Sequence, residues 1–522
     1  MLVNLKDSDT ELPTYDVSIF GAGASGTILA LELEKLGVKV GLFESGNFTF
    51  NQNTQDMYKG VVAGNFKHAP IDSYRLRFFG GSTNCWGGAC LPFDRVDFTP
   101  RSYLPDSGWP ISFEDLQPYY FKATRYLGLR SNDRFDGSYG EVIKGIEKTG
   151  IFKTKYWKVN KKTPRFLEIY GDFFKSKSKT DLYLNANLHS FSTPNHRGVI
   201  DSVFIKREQG ELVRVKSKYY VLSLGGLENA RLLLSSPNLF SFGSAKSVYS
   251  NVGKFYSPHI NSTHGTFIPS PGVMMRSDEE FIGSSVKLRR FLSLSNTALN
   301  KYELLNCKTT FERTDSSAAN LSSEVYEYLS NNNLLKSINR YDGIVDEYNS
   351  NIDNLIPYKY ASLLKLKRQN TFVLNTAFEQ APYINSKVEL ISDVDQIGLK
   401  RIKLIHSVRD EDIKRCIRYF EILAKNLGLL SLGRLSFDRS GNEFIDQLLG
   451  ASHHTGTTRM SKNIDRGVVD TNCKIHNLSN LYIAGASVFP TPSHANPTFT
   501  IIALTIRLAE HIRNLTLTEI KI

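Results

Sequence analysis

The chain has 522 residues, which suggests roughly two to four domains and leaves ample length for a large core. With 41% hydrophobic and 22% charged residues, its composition excludes a disordered or fibrous protein. The net charge of +12 comes from 64 basic and 52 acidic residues scattered together. The short clusters Lys161-Lys162, Lys175–Lys179 and Lys365–Arg368 therefore read as solvated surface and not as a nucleic-acid stripe.

Residues Met1–Asp9 lack a basic segment followed by an apolar one, so no signal peptide is expected. Tyr15–Gly46 then carries a dinucleotide-binding βαβ signature. Val17–Phe20 reads as a buried strand, Gly21, Gly23 and Gly26 as a G-x-G-x-x-G turn, and Thr27–Leu36 as a helix. Val38–Phe43 is the second strand, ended by Glu44. Gly21 permits the tight turn, Gly23 the approach of a pyrophosphate, and Gly26 close packing of helix on strand. Glu44 can accept hydrogen bonds from a ribose. The fingerprint alone does not separate FAD from NAD.

The segment Arg77–Gly88 holds Gly80, Gly81, Gly87 and Gly88 around Ser82, Asn84, Cys85 and Trp86, a loop whose backbone can approach a ligand or pack as an Ω-loop. Ser112-Phe-Glu-Asp115 predicts a capping box opening a helix over Leu116–Leu127. Residues 182–190 read as a strand and the turn after it. Ser202–Lys206 and Leu212–Lys216 are strands joined through Glu208-Gln-Gly210, and Tyr219–Leu224 is a strand followed by Gly225-Gly226 and a helix over Glu228–Ser235. That order suggests a return to the first sheet.

Residues 296–370, rich in Asn, Ser, Lys and Tyr, read as a helical insertion with polar loops. Asp410–Leu427 is an amphipathic helix with Gly428 expected to cap it. Leu481–Ala484 is a strand, and a helix runs from Pro497 to about Asn514. The most apolar stretch, Phe499–Ile512, is interrupted by Thr505, Arg507 and Glu510, so no membrane span is expected. Five cysteines without a C-x-x-C pair suit a reducing compartment, and a soluble cytoplasmic protein is the expectation.

Two late segments concentrate chemistry. Ser452-His453-His454-Thr455-Gly456-Thr457 places two histidines before a Gly-Thr turn. Ser493-His494-Ala495-Asn496-Pro497-Thr498 opens the last helix with Asn at the cap and Pro after it. Asn496 alone reads as a cap, and any one histidine as a satisfied hydrogen-bonding residue. Together they point to a site, where the helix N-terminus could face the negative charge of a reduced flavin near N1 and the C2 carbonyl.

With these pieces in this order, the chain resembles the glucose–methanol–choline (GMC) oxidoreductases, FAD enzymes that oxidise alcohols. Ser107-Gly-Trp-Pro110, Asn185-Ala-Asn187, Gly225–Arg231, Asn251–His259, Glu379–Leu390, Gly467–Asp470 and Asn480–Ser487 add to the match. The wording Ala-Asn-Pro-Thr resembles the His/Asn branch, which includes pyranose oxidase-like and bacterial sugar dehydrogenase-like members. The resemblance implies an α/β (α+β overall) fold: a Rossmann-like FAD-binding domain with a discontinuous chain path plus an antiparallel-sheet substrate domain. The implied division is 1–258 for FAD binding (with segments near 95–180 covering the substrate domain), 259–449 for substrate, and 450–522 returning with the catalytic segment.

The resemblance also implies His453 and Asn496 as the catalytic pair, with His494 an extra candidate and His454 supporting. Implied cofactor contacts are Gly21, Gly23, Ala24, Ser25, Gly26, Glu44 and Ser45 in the first unit and Arg77, Gly80, Gly81, Ser82, Asn84, Cys85, Trp86, Gly87 and Gly88 in the loop. Asn187, Leu188 and Gly225 follow, then Gly485, Ala486, Asn496, Pro497 and Thr498. No metal is implied. The expected reaction is oxidation of a CH–OH group to a carbonyl by hydride transfer to flavin N5, on a sugar, amino sugar, polyol or glycoconjugate. O₂, a quinone or a redox protein would accept the electrons. A lyase or decarboxylase on the same fold, or a non-catalytic FAD-binding paralogue, is the alternative. Several relatives place a flavin-linked histidine where this chain has Cys85. A histidyl link there is excluded, and non-covalent FAD is favoured over a cysteinyl link, with Cys85 read as buried beside Trp86.

Overall fold

The computed structural model describes residues 2–5, 8–129, 135, 139–192, 198–207, 210–276, 279–282, 286–313, 371–438 and 442–519. Tyr15–Phe20 is buried on almost every side chain, as a strand covered on both faces must be. It lies inside a six-stranded parallel sheet ordered Leu2–Val3, Asp181–Tyr183, Val40–Phe43, Tyr15–Phe20, Ser217–Leu222, Leu481–Ile483. The chain thus returns to its first sheet at Ser217–Leu222 and again at Leu481–Ile483. Helix Ala24–Lys35, buried from Ser25 to Leu33, packs between this sheet and the last helix, Pro497–Glu519.

The stretch expected as one strand and a turn at 182–190 forms two strands in different sheets. Asp181–Tyr183 joins the parallel sheet, and Asn187–Ser192 begins an antiparallel meander with Ser202–Lys206 and Leu212–Val215. Asn185, at φ +55°, makes the bend between them, a conformation its short polar side chain tolerates. Residues 208 and 209 of the predicted turn lie outside the described residues. The capping box forms: Ser112 Oγ accepts from the Asp115 N–H at 3.1 Å and Asp115 Oδ2 accepts from the Ser112 N–H at 2.8 Å.

The third sheet is antiparallel throughout and has nine strands. Its main path runs Gly433–Ser436, His259–Pro269, Phe372–Glu379, Cys307–Arg313, Val286–Leu294, Phe152–Asn160, Ala89–Cys90. The helical reading of 296–370 is corrected here. Asn296–Tyr302 is a helix, but Cys307–Arg313 is a central strand whose β-branched Thr309 and Thr310 and aromatic Phe311 suit a pleated, half-covered surface. The rest of that segment, 314–370, lies outside the described residues.

Helix Asp410–Leu429 covers one face of this sheet, burying Cys416, Tyr419, Phe420, Leu423 and Leu427. Gly428 does not cap it. The helix runs through Gly428, and Ser431 takes the left-handed conformation at φ +53° while the Leu432 N–H returns to the Leu427 carbonyl at 2.8 Å. No helix among the described residues is long and apolar enough to cross a membrane.

Candidate active site

The glycine turn after Tyr15–Phe20 shows three separate uses of glycine. A Cβ on Gly26 would sit 1.8 Å from the Gly21 carbonyl oxygen, so Gly26 serves the packing of helix against turn. Gly21 has φ +99° and its Cβ would meet the Ser223 carbonyl oxygen at 2.6 Å. Gly23 differs: a Cβ there would meet nothing within 4 Å. It borders a cavity of about 590 Å³ that runs between the parallel sheet and the antiparallel one.

Most residues singled out in the sequence meet on this cavity. Gly21, Gly23, Ala24, Ser25, Glu44 and Ser45 form one wall, and Arg77, Gly81, Ser82, Cys85, Trp86 and Gly87 another. Leu188, Gly225, Gly485, Ala486, Pro497 and Thr498 continue it, and His453 and Asn496 line it as well. Glu44 clamps the turn while facing the cavity: Oε2 accepts from the Ala22 N–H at 2.8 Å and Oε1 from the Gly46 N–H at 2.9 Å.

Gly26, Gly80, Asn84, Gly88, Asn187 and His494 are not among the lining residues. Gly80 donates its N–H to the Ala22 carbonyl. Asn84 donates to the Phe79 carbonyl and accepts from the Leu167 N–H, which holds the loop. Gly88 packs against Thr163. Asn187 Oδ1 accepts from Arg77 Nη2 at 3.2 Å, so it reaches the cavity through Arg77.

Sequence reading missed the charged wall beside Arg77. Arg75, Arg77 and Arg231 all pair with Glu228, and Arg231 also pairs with Asp395 at 2.6 Å. Burial alone would raise Glu228, but the charges of Arg231, Arg75 and Arg77 outweigh it and hold the carboxyl at about 2. Tyr58 lies under Arg75, 3.9 Å from ring centroid to guanidinium. Arg77 Nε is buried without a hydrogen-bond partner among the described residues. That free donor, the open cradle at Gly23 and Glu44 at the strand end together fit a dinucleotide carrying a pyrophosphate and a ribose.

Cys85 is exposed, which corrects the buried reading. The Trp86 indole N–H donates to the Pro164 carbonyl at 2.9 Å, and the Cys85 thiol and Trp86 both lie on the cavity wall. Partial desolvation holds the thiol above its ordinary value despite the nearby Arg165, so little thiolate forms.

His453 lies with its Nδ1 3.0 Å from Nδ1 of His259. Burial, and then the charge of Lys308, push His453 down to about 3. Two facing nitrogens need one proton between them. One imidazole therefore donates from Nδ1 and the other accepts, and a His453 that donates keeps its Nε2 lone pair free. Behind it, His68 must donate from Nδ1 to the Ala69 carbonyl at 2.6 Å. Tyr256 then donates to His68 Nε2 and accepts from His454 Nδ1, both at 2.8 Å. His454 is thereby held as a fixed part of the wall.

His494 is fully buried (0% exposed) with Nδ1 3.4 Å from Ser493 Oγ and 3.6 Å from Asp94 Oδ2. Asp94, Asp97 and His494 face one another, and the two carboxyls are already engaged while His494 Nε2 is buried without a partner among the described residues. Lys155 pairs with Asp94, Asn306 donates to both carboxyls, and Ser493 donates to Asp97. Burial, then Asp94 and Glu379, raise Asp97 to about 7.

Burial carries His453, His494 and His406 each to about 3, against about 6.5 in the unfolded chain. Between those values the unfolded state binds more protons, so stability falls as pH drops below 6.5. At pH 5 the expected loss is about 2 kcal/mol for each of these groups. Thermal unfolding should therefore start markedly lower at pH 5 than at pH 7.5; an unchanged midpoint would show that these imidazoles are solvated.

A model of the GMC oxidoreductase family matches residues 382–505, the span that carries His453 and Asn496. Paromamine 6'-oxidase of Streptomyces fradiae is 22% identical over 95% of this chain and 91% of its own. Residues 382–505 thus form a GMC oxidoreductase C-terminal domain. C-glycoside 3-oxidase of Microbacterium trichothecenolyticum shares 32% identity over 23% of each chain. The chain also has the fold of pyridoxine 4-oxidase from Mesorbium loti, at a TM-score of 0.56 and 14% identity over 95% of this chain and 99% of that one. Formate oxidase of Aspergillus oryzae RIB40 gives 0.53 at 16% identity over 97% and 99%. Its fold is thus a parallel Rossmann-like sheet joined to a larger antiparallel sheet.

Proposed function

We propose that the chain is a GMC oxidoreductase that oxidises a CH–OH group of a sugar, amino sugar, polyol or glycoconjugate to a carbonyl, with FAD held in the cavity. The observation that carries this reading is the placement of His453 and Asn496 on the wall of the cavity that Gly23 borders. Paromamine 6'-oxidase, 6'''-hydroxyparomomycin C oxidase of Streptomyces lividus and C-glycoside 3-oxidase support the substrate class.

Gly23, Glu44, Arg77 and the N-terminal turn of the last helix would hold FAD, which when bound supplies the acceptor for a hydride. The chain's own work is proton transfer and orientation. His453 is neutral, and its Nε2 lone pair takes the hydroxyl proton. The Asn496 amide donates to the same oxygen and stabilises negative charge building there. A hydrogen bond donated from His453 Nδ1 to His259 Nδ1, 3.0 Å away, supports the tautomer this requires.

The deciding experiment is anaerobic mixing of the yellow holoprotein with a panel of sugars, amino sugars and polyols. Bleaching of the flavin by a member of the panel is expected. Failure of every alcohol would favour a lyase, a decarboxylase or a non-catalytic protein on this fold. O₂ uptake against dye reduction then identifies the electron acceptor.

We further propose that FAD is held without a covalent bond, since Cys85 forms little thiolate. Acid precipitation should release the flavin to the supernatant. Colour retained in the pellet of wild type and lost in Cys85→Ser would show a thioether instead.

A further inference from the structure

Lys308 occupies an unusual place for a lysine. It sits on strand Cys307–Arg313, in register with Ala377 of the neighbouring strand, and is 9% exposed. Cys307 and Thr309 belong to the sheet face packed against helix Asp410–Leu429, where Thr309 hydrogen-bonds Tyr419 at 2.6 Å. Alternation along the strand sends Lys308 out of the opposite face, toward the parallel-sheet domain. There Nζ lies 4.8 Å from the centre of the Trp157 ring and donates to Asn496 Oδ1 at 2.7 Å. Among the described residues no carboxylate lies within ion-pair distance of it.

We infer that Lys308 is a positioning residue of the reaction proposed above, on which this inference rests: it turns the Asn496 amide so that Oδ1 faces the lysine and Nδ2 faces the cavity. An ammonium can only donate, so it selects one of the two amide orientations, which are otherwise nearly equal in shape. Without Lys308 the amide is free to present its oxygen to the substrate, and an oxygen there repels the developing alkoxide.

The charge has a second effect. His453, His259 and His494 are all made harder to protonate by Lys308, so the same field favours negative charge on an oxygen beside them. The charged and titratable groups facing the lysine are Arg289 on strand Val286–Leu294 and these three imidazoles. Burial, then Arg289, lower Lys308 to about 7.

A double-mutant cycle in the FAD-loaded full-length protein tests the pair. Lys308→Met is expected to slow flavin reduction by about 10- to 100-fold. Asn496→Ala should add little in that background, because the two residues act as one unit. Effects that simply multiply would overturn the inference.

Thermal melts give a second readout that needs no turnover. A lysine at about 7 in the folded protein and about 10.4 unfolded makes stability rise with pH between those values. Lys308→Met should remove that rise. Asn496→Asp, which keeps the lysine, should move the rise to higher pH by giving the ammonium a carboxylate. A pH profile of melting unchanged in Asn496→Asp would overturn the pairing even if Lys308→Met does not fold. If wild type is reduced by no alcohol, the proposed reaction fails, and the melts alone still judge the Lys308–Asn496 contact.

Discussion

Replacing His453 with alanine is expected to slow reduction of the bound flavin by alcohol by about 10²–10⁴-fold while leaving FAD content unchanged. The side chain lines the cavity, is half-buried and held neutral, and has its Nδ1 hydrogen-bonded to His259. Removing it takes away the group that receives the hydroxyl proton without touching Gly23, Glu44 or Arg77. Stopped-flow absorbance under anaerobic conditions measures the rate, and the flavin-to-protein absorbance ratio measures cofactor content. His494 is the internal comparison. It is absent from the cavity wall and engaged with Ser493 and Asp94, so His494→Ala should perturb stability more than the reduction rate. A larger kinetic loss in His494→Ala than in His453→Ala would transfer the acid/base role to His494.

Gly23→Val is expected to weaken FAD binding by at least about 100-fold, which is some 2.7 kcal/mol, and to yield a colourless protein that is still folded. Gly23 has φ −77°, a value any residue adopts, and its Cβ would project into open space. Valine is therefore compatible with the protein and incompatible with a ligand backbone lying against the turn. Gly26→Ala is the contrasting case. Its Cβ would fall on the Gly21 carbonyl, so the expected loss is of folding itself. Circular dichroism together with titration of FAD separates the two. Normal FAD uptake by Gly23→Val would remove Gly23 from the pyrophosphate site.

What could be read from the sequence was what short-range chemistry dictates. The turn from Gly21 to Gly26 and the acid Glu44 fall within about thirty residues, and the capping box at Ser112–Asp115 within four, so their physics is local. Asn496 and Pro497 announced a helix start in the same way. Lys308 was invisible because nothing near it in the chain explains it; its partner is 188 residues away on another domain's helix. Arg75 and Tyr58 join the cavity wall only because Glu228 comes from a distant helix. Cys85 was misread for a similar reason, since the cavity it borders is built from segments far from it in the chain. The periodicity of 296–313 was too short and too polar to show that a central strand was embedded in it.

The parallel sheet imposes a timetable on biosynthesis. Its strands come from Leu2–Val3, Tyr15–Phe20, Val40–Phe43, Asp181–Tyr183, Ser217–Leu222 and finally Leu481–Ile483. The last edge is therefore laid down, and Pro497–Glu519 can cover Ala24–Lys35, only long after Val40–Phe43 has been made. Until then the apolar faces of Ile28, Leu29 and Leu33 stand uncovered, a state that invites aggregation and chaperone capture. Pro497 and Thr498, which border the cavity, emerge in that same closing stretch. Loading with the dinucleotide has to await that stretch, and limiting supply of the cofactor should show itself as insoluble newly made protein before it shows as lost activity.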